Sequence, residues 1–350
     1  MRVEELETPA LLIDLDAMES NLSRVSEFYR RGPVKARPHF KNHCVLALAE
    51  RQVAGGAIGI TVARVRHAEA LVDRGIPSIL VANEIVDDRS LRRLIELSHR
   101  AEVILSVDDA ENIARIARLS GDARPNLNVV IDLEVGLRRC GAPPQEALTL
   151  ARQARDAGLR VRGLMGYEGH LQKMPDTDET RRLRSDVAAL LNRTRLLLED
   201  DRIPVDIVTL GGTGTYKAYV ESPGITEVQV GSYLLMDTFY KPFAPDFQLG
   251  LTVLTRVISS RAGDHLVLDA GLKALSSERG MPTVKSLSGL RLTALHAEHA
   301  IVQFEVPDVR VRTNDLVELW VHYSDATAHL HRWLYGIRHG EVEEIFPIEY

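Results

Sequence analysis

The chain has 350 residues, 45% of them hydrophobic and 26% charged, with a formal net charge of −6. That length buries a large core and exceeds one ordinary small domain, so a large domain with a smaller companion is expected. Acids and bases are interspersed, and no basic block or aromatic-interleaved basic stripe points to nucleic acid, which leaves a small molecule as the expected partner.

The apolar runs are strand-sized, and MRVEELETPA carries acids and no apolar leader core, so neither a membrane span nor a signal peptide is read here and a cytosolic protein is expected. Cys44 and Cys140 have no metal-ligand spacing and give no disulfide framework; they read as buried or idle thiols.

In chain order, PALLIDLDA (9–17) is strand-like and precedes a helical segment, MESNLSRVSEFYRR; this first strand is expected to pair with a C-terminal sheet. Between residues 34 and 233, β-rich apolar runs alternate with segments of helical periodicity. The expected strands are KARPHF, AIGITV, SILVAN, EVILSV, LNVVIDLE, RVRGLMGY, DIVTLGG and EVQVGSY. In the longest helical segment (176–200), Leu183, Val187, Leu190, Leu191, Thr194 and Leu198 fall on one face. Gly55, Gly75 and Gly158 stand where a left-handed residue ends a helix. Eight strands separated by helices predict an α/β fold, a closed (β/α)8 TIM-type barrel over 15–240, and the absence of G-x-G-x-x-G after the first strand counts against a dinucleotide fold. Beyond 241 the texture turns to period-2 runs, LGLTVLTRVISS, HLVLDAG, HAIVQFEV and DLVELWVHY. These predict a β-domain built from 241–350 with residues 1–14.

RPHFKNH (37–43) puts Lys41 at the carboxyl end of the first barrel strand, the face on which barrel enzymes build their sites. Taken singly, a lysine is usually a solvated surface charge. Among His39, Asn42 and His43, however, desolvation and neighbouring positive charge lower a lysine's pKa toward Schiff-base work. LGGTGTY (210–216) and QVGSY (229–233) end strands seven and eight, where barrels often hold phosphate. Their glycines, Gly212, Gly214 and Gly231, let backbone N–H groups approach an anion, and Thr213, Thr215 and Ser232 add hydroxyls. A GGTGT loop alone is as readily a tight turn. Paired with a strand-one lysine, it suggests pyridoxal 5'-phosphate, with its aldehyde on Lys41 and its phosphate in the loop.

TPALLIDLDAMESN, RPHFKNH, VANEIV, EVGLRRCG, GGTGTY and EVQVGSYLLMD, in this order, resemble the D-threonine aldolase and D-serine dehydratase group of alanine-racemase-like pyridoxal-phosphate enzymes. The resemblance runs nearly end to end. It implies a barrel with a C-terminal β-domain, a head-to-tail homodimer with active sites at the interface, and Lys41 as the Schiff-base lysine. It also implies that Arg139 lies near the cofactor and Lys41, and that the Tyr167 hydroxyl lies beside the ring. His43 joins Lys41, Arg139 and Tyr167 as a catalytic candidate; His39, Gly231, Ser232 and Tyr233 join the loop as cofactor-binding candidates. Glu168 and His170 read either as substrate neighbours or as a polar strand end.

The group also uses a divalent metal, held by a histidine and by a cysteine or aspartate two residues later. In WVHYSDATAHLH, His322 fits and the carboxylate arrives one residue late, at Asp325. Mn²⁺ or Zn²⁺ accepts imidazole with carboxylate, and Mg²⁺ prefers oxygens; a plain polar turn is the competing reading. His296, Glu298 and His299 resemble an acid-acid-His segment of the group, of which only Glu298 and His299 match. The resemblance implies a lyase. The reading adopted is a metal-assisted aldolase that cleaves β-hydroxy-D-amino acids to glycine and an aldehyde. The alternatives are a D-serine or 3-hydroxy-D-aspartate dehydratase, an amino-acid racemase, and a non-catalytic pyridoxal-phosphate-binding protein.

Overall fold

The computed structural model describes residues 1–121, 127–261, 264–285, 287–306 and 310–349. The chain forms two compact units. One comprises Arg24–Lys41 and Leu48–Gly231; the other comprises Met1–Ser23, Asn42–Ala47 and Ser232–Tyr350. In chain order the first elements are strand β1 (Ala10–Asp14) and helix α1 (Leu15–Arg30), and the division between the units falls inside that helix.

The first unit is a barrel. Its strands are β2 (Lys35–Ala36), β3 (Ile60–Val62), β4 (Ser78–Val81), β5 (Glu102–Val107), β6 (Leu127–Asp132), β7 (Arg160–Met165), β8 (Ile207–Leu210) and β9 (Glu227–Val228). Between them lie α2 (Leu46–Ala54), α3 (Val65–Asp73), α4 (Asp88–Leu97), α5 (Ala110–Ser120), α6 (Ala147–Asp156) and α7 (Asp178–Asp200). The sheet is parallel, in the order β2-β9-β8-β7-β6-β5-β4-β3. A parallel bridge between His39 and Thr61, with Thr61 N–H donating to the Pro38 carbonyl at 2.8 Å, joins its two ends. The eight expected strands and the closed barrel are therefore both present.

The barrel interior is layered by the period-2 rule. At its amino end Arg37 donates to both Glu227 oxygens at 2.8 Å and to Ser78 Oγ, which in turn donates to Glu102 at 2.7 Å; Arg162 pairs with Glu102 and Asp206. Two residues further along the strands, Leu80, Ile104 and Val130 form a dry cluster with Met165 and Ile207. Two residues further again come Ala82, Ser106 and Asp132, at the carboxyl ends.

Two local expectations are corrected. The residue of positive φ after α2 is Gly56 rather than Gly55, because α2 runs to Ala54 and the chain turns one residue later; Gly75 and Gly158 do carry positive φ. In α7 the inward face is Thr180, Arg184, Val187, Ala188, Leu191, Thr194 and Leu198, and Leu183 faces solvent. Arg184 takes an apolar position because its guanidinium donates to the Leu171 and Met174 carbonyls, each at 3.2 Å.

The second unit is a nine-stranded sheet. It adds β10 (Leu251–Arg261), β11 (His265–Leu268), β12 (Thr283–Val284), β13 (Leu290–Leu295), β14 (Ala300–Phe304), β15 (Leu316–Trp320), β16 (Trp333–Arg338) and β17 (Glu341–Pro347), with one short helix, α8 (Ser324–Thr327). β1 lies inside it, antiparallel to β10 and parallel to β16, as the opening strand pattern predicted. Alternation on β1 sends Ala10 and Leu12 into a core with Leu6 and Leu254. Cys44 is buried with its Sγ 3.5 Å from His329 Nε2, Cys140 is exposed, and neither is in a disulfide.

Candidate active site

The barrel unit gathers most of the expected residues at the carboxyl ends of its strands. Lys41 lies in a short 3-10 turn, Phe40–Asn42, two residues past the bridge that closes the barrel, and is half-buried. The Lys41 N–H approaches His39 Nδ1 at 3.4 Å, while the His39 N–H donates to the Val230 carbonyl at 2.8 Å. Arg139, exposed in the loop after β6, holds its guanidinium 5.2 Å from the centre of the Tyr167 ring at the end of β7.

The glycine loop is a 3-10 turn, Thr213–Thr215, entered through Gly211 at φ +78°. Its backbone donors are largely engaged from within. The Gly211 N–H donates to Glu168 Oε2 at 2.9 Å, that of Gly212 to Thr215 Oγ1 at 3.3 Å, and that of Gly214 to Gln172 Oε1 at 3.0 Å. The Gly231 N–H reaches Thr213 Oγ1 at 3.3 Å, which ties the ends of β8 and β9 together. Glu168 is buried at 0% exposure, so it is no solvated strand end; His170 beside it is exposed. The Tyr219 hydroxyl is buried near Glu168, and burial first, then the Glu168 charge, pushes its ionisation upward.

A group of acids not singled out by the sequence patterns meets at the same end of the barrel. Asp132 is buried, and desolvation first, then the Glu84 charge, pushes its carboxyl up to about 8, against a smaller downward pull from Arg139. Asp108 is also raised, chiefly by burial, and accepts the Gly141 N–H at 2.9 Å. Ser106 Oγ lies 3.4 Å from Glu84 Oε1. Alternation along β5 and β6 was the available signal: Ile104 and Val130 face inward, so Ser106 and Asp132 must as well.

The β-unit holds the remaining candidates, in two separate places. Asn42, the residue after Lys41, is buried, and its Nδ2 donates to Asp325 Oδ1 at 2.6 Å and to Ser324 Oγ at 2.8 Å. Ser324 Oγ and N–H both donate to Asp237 Oδ2, at 2.6 and 2.7 Å, and burial pushes Asp237 up to about 6. Ser232 Oγ donates to Asp325 Oδ1 at 3.5 Å, and Tyr233 is buried with its ring 5.7 Å from that of Phe247. His43 is buried, and its Nδ1 accepts the Val45 N–H at 3.0 Å.

His322 stands apart from this network. Its Nδ1 lies 2.8 Å from Thr238 Oγ1, its ring meets Phe239, and it is half-buried, with room for its Nε2 beside Gly280, where a Cβ would come within 2.6 Å of that nitrogen. His296, Glu298 and His299 are exposed, with Glu298 paired to Lys273.

Sequence comparison agrees with this architecture. The profile described as "Alanine racemase, N-terminal domain" matches residues 13–238. The chain belongs to that family. A second profile, of serine dehydratase domains, matches residues 250–337. A D-threonine aldolase of Arthrobacter sp. is 34% identical over 98% of this chain and 92% of its own length. A 3-hydroxy-D-aspartate aldolase of Paracoccus denitrificans (strain Pd 1222) is 31% identical over 99% of this chain and 93% of its own. Among solved structures, a D-threonine aldolase from Filomicrobium marinum superposes with a TM-score of 0.94 at 32% identity, covering 99% of this chain and 96% of that one.

For a member of the alanine racemase N-terminal-domain family, the barrel residues fit the implied cofactor, pyridoxal phosphate. A half-buried lysine follows the closing strand, and at Gly212 and Gly214 a Cβ would fill the space taken by the turn that holds the loop. The metal fits less well. His322 Nδ1 meets Thr238 while Asp325 accepts from Asn42, and among the described residues no three His, Cys, Asp or Glu side chains come together as a metal cage.

Proposed function

We propose that the protein is a pyridoxal-phosphate-dependent lyase that cleaves β-hydroxy-D-amino acids, D-threonine among them, to glycine and an aldehyde. The observation that carries this reading is the similarity to D-threonine aldolases over nearly the whole length of both chains. Pyridoxal phosphate, when bound, supplies an aldehyde for covalent attachment and a ring that takes up the electron pair of the Cα bond that is cut.

Lys41 Nζ is the group assigned to hold the cofactor covalently. Once Cα–Cβ is cut, the Lys41 amine would be the acid that returns a proton to Cα to give glycine. Arg139, with its guanidinium over the Tyr167 ring, would supply a positive charge near the cofactor, and Tyr167 would offer its hydroxyl to the cofactor ring. The loop from Gly212 to Thr215, with Gly231, Ser232 and Tyr233, is assigned to the phosphate. His39, whose Nδ1 lies 3.4 Å from the Lys41 N–H, is assigned to the cofactor as well. His43 has its Nδ1 lone pair engaged by Val45, so in its neutral form it presents an N–H at Nε2 and acts as a donor.

Metal assistance at His322 and Asp325 is the finer part of the aldolase reading. The steps assigned here are those of the chain's own residues. Residues 15–240 are taken as the cofactor domain, the assembly as a homodimer and the compartment as the cytosol. No described helix is long and apolar enough to cross a membrane.

The test is product analysis with D-threonine and D-serine. Aldehyde and glycine from D-threonine are expected; keto acid and ammonia from D-serine, with no aldehyde from D-threonine, would replace the aldolase by a dehydratase.

A further inference from the structure

We propose that Glu168 and Gln172 are positioning residues that set the shape of the phosphate-holding loop. The inference rests on the reading above that this loop binds the cofactor's phosphate. Both side chains are buried, at 0% and 1% exposure, in the turn after β7. Glu168 Oε1 accepts from Gln172 Nε2 and from Thr215 Oγ1, each at 2.7 Å, and its Oε2 accepts from the Gly211 N–H at 2.9 Å. Gln172 lies 2.7 Å from Thr215 Oγ1 through Nε2, and its Oε1 accepts the Gly214 N–H at 3.0 Å. Two side chains from one turn thus grip the loop at its entry, its centre and its end.

A carboxyl group buried beside an anion site is costly unless several donors converge on it. Three do so here, and two of them belong to the loop. The glycines match this clamp. A Cβ on Gly214 would collide with the Gln172 carbonyl oxygen, and one on Gly212 would lie 2.8 Å from Gln172 Oε1. The loop is glycine-rich because a second turn packs on it. Its remaining polar groups are fixed in direction before any anion arrives, the condition under which donors contribute most to binding.

Glu168→Gln keeps the shape of the side chain and replaces an acceptor oxygen with an NH2 that faces donors. The measurement is the affinity of the full-length protein, stripped of its cofactor, for pyridoxal phosphate and for pyridoxal, which lacks the phosphate. Affinity for pyridoxal phosphate should fall roughly ten-fold or more, the range of one lost hydrogen bond to a charged group, while affinity for pyridoxal stays as in the wild type. Equal losses for both ligands would make Glu168 a general structural residue and overturn the proposal, as would an unchanged affinity for pyridoxal phosphate. If Glu168→Gln does not fold, Gln172→Met removes the amide that bonds Glu168, Thr215 and Gly214 and is compared in the same way, a selective loss supporting the proposal and an equal or absent loss overturning it. The two readings fail differently. A wild-type protein that takes neither ligand onto Lys41 defeats the proposed function and this inference with it, whereas a normal wild type with an unselective variant defeats this inference alone.

Discussion

Gly214 packs its backbone against the carbonyl oxygen of Gln172, leaving no room for a side chain, and the same glutamine accepts the Gly214 N–H. A backbone obstacle cannot swing aside, so Gly214→Ala should distort the loop at a cost of about 1–3 kcal/mol. Gly212→Ala meets only the far end of the Gln172 side chain and should be milder. Thr213→Ala adds no bulk and removes the hydroxyl that accepts the Gly231 N–H at 3.3 Å, so it should be mildest. Cofactor remaining after dialysis, read by visible absorbance, should rank the variants in that order; equal retention in all three would make the loop an ordinary turn.

The barrel was legible because its signal is periodic. Alternating strands, helical stripes and glycine stops each repeat several times, so a one-residue error at Gly55 or an exposed Leu183 does not disturb the count. Lys41 and the glycine loop were legible because they stand at strand ends. The Glu168 clamp was not, since GYEGH looks the same whether its acid is solvated or buried, and the partners that decide the matter lie more than forty residues away in sequence. The network from Asn42 through Ser324 to Asp237 was hidden for the same reason. There the sequence offered His322 and Asp325 as a metal pair and gave no sign that Asp325 accepts from an asparagine next to Lys41 in the chain.

The cofactor assignment predicts that borohydride reduction of the purified yellow protein labels a single peptide, the one containing Lys41. Lys41→Ala should abolish the reducible linkage and lower turnover by about a thousand-fold or more, as loss of a covalent catalytic group commonly does. A labelled peptide carrying any other lysine would remove Lys41 from its role.

Because Asp325 Oδ1 accepts from the buried Asn42 Nδ2, Asp325→Ala leaves a buried donor unsatisfied beside Lys41 in the chain and should cost about 1–3 kcal/mol of stability. Exhaustive chelation and His322→Ala together test the metal pair: activity that survives both would leave His322 a packing partner of Phe239 and Thr238. Activity that disappears on chelation and returns with Mn²⁺ or Zn²⁺, and a His322→Ala variant that copies the chelated enzyme, would restore the metal pair.

The carboxyl of Asp132 sets a pH dependence of stability. Burial, then the Glu84 charge, raises it from the ordinary 3.8 to about 8. Between those values the folded chain holds a proton that the unfolded chain has released. Folding stability therefore falls as pH rises through that window, by at most about 1.4 kcal/mol per pH unit from this group, and the loss is complete above the folded-state value. Asp237, raised to about 6, adds a slope of the same sign that ends lower, so above about pH 6 the decline belongs chiefly to Asp132. Asp132→Asn cannot ionise and keeps the size of the side chain. Denaturation midpoints measured from about pH 6 to about pH 9 should fall for the wild type and run nearly flat for the variant, with the variant the more stable of the two at the alkaline end. Parallel curves would mean that Asp132 is already ionised in the folded protein and that the neighbouring Arg139 outweighs burial and the Glu84 charge.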